Sequence, residues 1–103
     1  MNRDNPILYI VIPCYNEEKV LPYTNPMFIE KIESLINTGQ VHSSSKVMYV
    51  NDGSKDQTWE LIQQYAKENS HVVGIAQSRN RGHQSSVLAG MEEAAKFADI
   101  VIT

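Results

Sequence analysis

A chain of 103 residues is one domain at most, able to bury roughly 60–70% of its unfolded surface and so to hold a small core. Its 42% hydrophobic and 20% charged residues are ordinary for a globular domain, and a formal net charge of -3 with scattered lysines and arginines excludes the electrostatic footprint of a nucleic-acid binder. The one cysteine, Cys14, excludes an internal disulfide framework and fits a reducing compartment, while His42, His71 and His83 are too widely spaced to make a structural zinc site.

In chain order, residues 7–12 are continuously apolar and rich in β-branched side chains, as in a strand buried on both faces, and Pro13 marks the end of that run. The run is too short for a signal-peptide core or a membrane span. Over residues 22–37 the side chains Phe28, Ile32, Leu35 and Ile36 recur at helical spacing, with Gly39 as a C-terminal stop. Residues 42–46 read as a plain polar connection, and 47–50 as a second strand. Asp56 or Thr58 then caps a helix whose one face carries Trp59, Ile62 and Ala66. Residues 72–76 form a third strand. After the stretch QSRNRG, the residues Val87, Leu88, Met91, Ala94, Ala95 and Ala98 make an apolar helical stripe expected in the core, and DIVIT at 99–103 is a fourth strand. The order βαβαβαβ with right-handed crossovers demands an α/β fold, a Rossmann-like parallel sheet with helices on its faces. Sheets of that kind bind ligands beyond the carboxyl ends of the strands where the strand order reverses, which points to PCYNEEKV and NDGSKD after the first two strands.

Neither a G-x-G-x-x-G after the first strand nor a G-x-x-x-x-G-K-[ST] is present, which disfavours Rossmann dinucleotide binding and excludes a P-loop. The first loop instead offers Tyr15, Asn16, Glu17 and Glu18. An aromatic plate beside amide and carboxylate acceptors suits a nucleoside, with Tyr15 against base or ribose and carboxylates accepting from ribose hydroxyls and a base N–H. Asp52 admits two readings, turn chemistry before Gly53 or a ligand-binding carboxylate at a strand end. Glu17 is expected to be functional and Glu18 solvated. Cys14 is expected to pack as a small residue, and Trp59, Met91 and the alanines to be core. Arg79, Arg81 and His83 precede a helix N-terminus, a geometry that suits anions as well as it suits a solvated basic loop.

VIPCYNEEKVL, VMYVNDGSKDQT and SRNRGHQSSVLAG, in that order and spacing, resemble the amino-terminal half of the catalytic domain of family 2 glycosyltransferases, more narrowly the polyprenyl-phosphate (dolichyl- or undecaprenyl-phosphate) mannosyl- and glucosyltransferases. The resemblance covers nearly the whole chain. It implies a GT-A fold with strand order 3-2-1-4, the first two helices on one face and the third on the other. It also implies a UDP- or GDP-hexose donor, a polyprenyl phosphate acceptor, a Mg2+ or Mn2+ ion in the complete enzyme, and work at the cytoplasmic face of a bacterial membrane, in the making of the cell envelope. Residue by residue, Pro13, Tyr15 and Glu17 match the nucleotide-binding loop, Val50 and Asp52 the strand end that meets the base, and Arg79 a substrate-binding position. Asn51 departs from the Asp-Asp pair common there.

The family's metal-binding D-x-D follows the fourth strand, and Asp4, Asp52, Asp56 and Asp99 contain none. Residues 1–103 are therefore expected to be the nucleotide-sugar-binding half of a catalytic domain that stops before the D-x-D, without catalytic residues of its own and inactive alone. A function of another class, a non-catalytic α/β nucleotide-binding or interaction module, fits the same residues. The fourth strand, left at a sheet edge, is expected to self-associate into a homo-oligomer.

Overall fold

The computed structural model describes residues 5–77 and 82–103. Strands and helices alternate among these residues: β1 (Leu8–Cys14), α1 (Leu21–Asn37), β2 (Lys46–Asp52), α2 (Thr58–Glu68), β3 (Val72–Gln77), α3 (His83–Ala94) and β4 (Ile100–Ile102). The strands pair in parallel in the order β3-β2-β1-β4. Fold class and strand order are those expected from the sequence.

The two-sided burial of β1 explains its unbroken apolar run. Leu8 and Ile10 join Val47, Tyr49, Ile32 of α1 and Ile62 of α2 in one cluster, while Tyr9 and Val11 join Met48, Val50 and Ala94 of α3 in another. Helices α1 and α2 thus cover one face and α3 the other. The Tyr49 hydroxyl donates 2.7 Å to the buried Oδ1 of Asn25, which ties α1 to β2 from inside the core. A buried pair of this kind contributes about 1 kcal/mol net, and more is lost if one partner is left alone. At its far end α1 closes on Gly39, at φ 77°, with the Gly39 and Gln40 N–H groups donating to Ile36 and Leu35 carbonyls.

Three expectations change. First, Pro13 does not end β1, which runs on to Cys14. β4 pairs with β1 only from Leu8 to Ile10, so beyond Ile10 β1 has β2 as its only strand neighbour among the described residues, and a proline is tolerated on such an edge. Second, residues 42–46 are more than a connection, because Ser45 is fully buried and its Oγ accepts the Leu8 N–H at 2.9 Å.

Third, α3 faces the sheet with Ser86, Gly90 and Ala94, one helical turn apart, while Leu88 is 59% exposed and Met91 and Ala95 also face outward. The reason is close approach. A methyl group on Gly90 would lie 2.5 Å from Val11 Cγ1 and 2.7 Å from Val50 Cγ2, so only a row of small residues lets the helix sit this near the sheet. The larger side chains turn away.

At the open edge, Ile100 and Ile102 pair with Leu8 and Ile10 and so share the face of α1 and α2, where both stay exposed. Among the described residues no helix is long and apolar enough to cross a membrane.

Candidate functional site

Because β1 and β2 stay paired up to Cys14 and Asn51, the loops that follow them leave the sheet side by side. Five hydrogen bonds then join them. Asn16 N–H donates to Ser54 Oγ at 3.0 Å, and Lys55 N–H returns to Asn16 Oδ1 at 2.9 Å. Glu17 N–H donates to Thr58 Oγ1 at 2.7 Å, Glu18 N–H to Asp56 Oδ2 at 3.3 Å, and Gln57 N–H to Glu18 Oε1 at 2.8 Å. Asn16 sits at φ 54°, a left-handed conformation that asparagine tolerates better than most residues. Asn51, buried at the strand end, accepts the Ser54 N–H at 3.3 Å and so closes the turn through Gly53.

Asp52 therefore does something other than cap that turn. It is 4% exposed, lies beside Gln77 of β3 in register, and its Oδ2 accepts the Gly82 N–H at 3.1 Å just before α3 begins. Ser86, one turn into α3, donates 2.8 Å to Gln77 Oε1 and fastens the helix start to the same strand end. The result is a cleft of about 260 Å³ at the carboxyl end of the sheet, lined by Pro13, Tyr15, Glu17, Asp52, Gly82 and Ser86, with Cys14 behind them.

Of the residues expected in a binding site, Pro13, Tyr15, Glu17 and Asp52 come together on this cleft. Val50 does not. It is fully enclosed against α3, where it supports Asp52 two residues on without facing a ligand. Arg79, with Arg81, lies outside the described residues. Glu18, expected to be solvated, holds the Gln57 N–H and is half-buried. Neither Asp56 nor Thr58, expected to cap α2, holds the cap position, which falls on Gln57 without a side-chain cap bond; Asp56, one residue earlier, accepts the Thr58 N–H at 2.9 Å and also the Thr58 hydroxyl, while bonding to the neighbouring loop. Ser54, Ser86 and Gln77 were not singled out from the sequence; Ser54 acts through Asn16, 38 residues away, and Ser86 and Gln77 join a helix start to a strand end, pairings that residue type does not reveal.

Burial pushes the Cys14 thiol up to about 12, and the Glu17 carboxylate adds to it, so Cys14 is a packing residue and no nucleophile near neutral pH. At Asp56 burial acts to raise the carboxyl, but hydrogen bonds from the Thr58 hydroxyl and N–H and from the Glu18 N–H outweigh it and hold the group below its ordinary 3.8.

A buried carboxylate beside an exposed tyrosine stands at the carboxyl ends of parallel strands where the order reverses, the place at which α/β sheets of this kind take ligands. Residues 9–102 match the domain described as Glycosyl transferase family 2, and the chain belongs to that family. It is 40% identical over 103 residues to the uncharacterized glycosyltransferase YkoT of Bacillus subtilis (strain 168), covering 100% of this chain and 31% of that protein. It is 35% identical over 95 residues to the undecaprenyl-phosphate 4-deoxy-4-formamido-L-arabinose transferase of Pectobacterium carotovorum, covering 91% and 27%. Among solved structures, the mannosyltransferase PcManGT from Pyrobaculum calidifontis, in complex with GDP-Man and Mn2+, superimposes with a TM-score of 0.65 at 19% identity over 96% of this chain and 27% of that one. The chain thus spans under a third of the length of these relatives. Among the described residues no three His, Cys, Asp or Glu side chains stand close enough to hold a metal ion, so these residues do not fit the divalent cation that the family resemblance implies.

A carboxylate held below its unfolded value, as Asp56 is, stabilises the fold above the unfolded pKa and loses that contribution as pH falls through the folded one. Acidification from about pH 5 to about pH 3 should therefore lower the urea midpoint of the wild type more steeply than that of Asp56→Asn. Parallel curves would show that Asp56 carries no such linkage.

Proposed function

We propose that residues 1–103 form the nucleotide-sugar-binding half of a glycosyltransferase that moves a hexose from UDP or GDP to a polyprenyl phosphate at the cytoplasmic face of a membrane. The observation that carries the reading is Asp52, a buried carboxylate at the end of β2 whose neighbours on the cleft are Tyr15 and Glu17. Its place suits the N–H of a uracil or guanine. Tyr15, 40% exposed, offers a flat apolar face for base or ribose, and Glu17 an acceptor for ribose hydroxyls. Pro13 stiffens the wall beside them. Arg79, by its position before α3, is assigned to the diphosphate. A Mg2+ or Mn2+ ion in the complete enzyme would supply charge neutralisation of the leaving diphosphate. The polyprenyl acceptor is supported by the named undecaprenyl-phosphate relative.

If Asp52 takes the base N–H, Asp52→Ala should cost about 1.5–3 kcal/mol of UDP or GDP binding, roughly ten- to a hundredfold in affinity by calorimetry. Unchanged affinity would remove Asp52 from the site.

The exposed Ile100 and Ile102 on the β4 edge further support self-association of this chain through β4 into a homo-oligomer. Sedimentation should show association at high concentration that Ile102→Lys weakens; a wild-type chain that stays monomeric throughout would contradict it.

A further inference from the structure

Thr58 is fully buried at the first position of α2, yet it does not line the cleft. Its hydroxyl has a fixed polarity. An ionised Asp56 has no proton to give, so the hydroxyl hydrogen goes to Asp56 Oδ1, and the oxygen's lone pairs are left to accept the Glu17 N–H, 41 residues away in sequence. The second oxygen of Asp56 accepts the next N–H in the chain, that of Glu18. Two successive amides of the first loop are thereby held by one threonine–aspartate pair from the second. The bond from the Thr58 N–H to Asp56 is local to the start of α2; the reach of the Thr58 hydroxyl to Glu17 is beyond what the helix requires. Glu17 is itself a cleft residue, and Tyr15 stands two residues before it.

Resting on the nucleotide reading given above, we propose that Thr58, backed by Asp56, is a positioning residue for nucleotide binding: its hydroxyl fixes the backbone at Glu17, and so the spacing of Tyr15 and Glu17 from Asp52, without touching the ligand. The two walls of the cleft are built on different strands, and nothing in the pairing of β1 with β2 reaches past Cys14 and Asn51 to hold them in register. The threonine–aspartate pair extends that register into the loops. Pre-setting the loop before the ligand arrives spares the ordering cost that a mobile loop would pay on binding.

The test compares the wild type with Thr58→Val, Thr58→Ser and Asp56→Asn, measuring UDP and GDP affinity by calorimetry, the melting temperature, and the amide signals of Glu17 and Glu18 by NMR. Valine keeps the shape and removes the hydroxyl; serine keeps the hydroxyl. Thr58→Val should lose about tenfold in affinity well below its melting temperature and shift the Glu17 amide, while Thr58→Ser stays within about threefold of the wild type. A folded Thr58→Val with wild-type affinity overturns the inference, even if its melting temperature falls, and leaves the nucleotide reading standing. Should Thr58→Val not fold, Asp56→Asn decides, with weaker binding expected and undiminished binding overturning the proposal. A wild-type chain that binds neither UDP nor GDP overturns the nucleotide reading and this inference with it.

Discussion

The parallel pairing of β1 with β2, in register from Tyr9 and Lys46 to Cys14 and Asn51, is the constraint on which the rest depends. It buries the two central strands between α1 and α2 on one face and α3 on the other. It also delivers two polar loops to the same end of the sheet, a few ångströms apart. Since β4 pairs on the other side of β1, the strand order reverses there, and α3, which leads into β4, lies on the face opposite α1 and α2. The gap that opens at such a point is where α/β sheets take ligands. Hydrophobic burial thus decides where the site lies, and polar chemistry decides its shape.

That shape is held by many modest interactions. A single hydrogen bond between loops contributes about 1 kcal/mol net, too little to order a loop that loses a similar amount of entropy per residue. Five of them between adjacent loops act together, and each partner's position depends on the others. On the opposite wall, Asp52 and Gln77 fasten the start of α3 through Gly82 and Ser86. Each described wall of the cleft is therefore tied to a strand end.

Most of the architecture was legible in the sequence because burial writes a strong local pattern. Residues 7–12 read as a strand buried on both faces and 47–50 as a second strand, and Ile32 and Ile62 fell on faces that are indeed buried. The facing of α3 was harder to read. Its sequence carries an apolar stripe at Leu88 and Met91 beside a small-residue stripe at Ser86, Gly90 and Ala94, and hydrophobicity alone favours the wrong one. Only the distance between helix and sheet, set by Val11 and Val50 beneath Gly90, decides between them. Within the site, residue type identified Tyr15, Glu17 and Asp52 as a group. It could not show that Glu18 and Thr58 turn toward the neighbouring loop, since that contact joins positions some forty residues apart. Val50 shows the converse, a residue matched by motif that serves the site from within the core.

The central claim is that the cleft is built before any ligand arrives, by hydrogen bonds between the loops after β1 and β2. Amide hydrogen exchange on the ligand-free chain tests it most directly, at Asn16, Glu17, Glu18, Lys55 and Gln57, the five N–H donors of those bonds. The account predicts that these amides exchange at least about tenfold more slowly than the exposed N–H groups of an open loop. Exchange of all five at the rates of unstructured chain, while the amides of β1 and β2 stay protected, would contradict it.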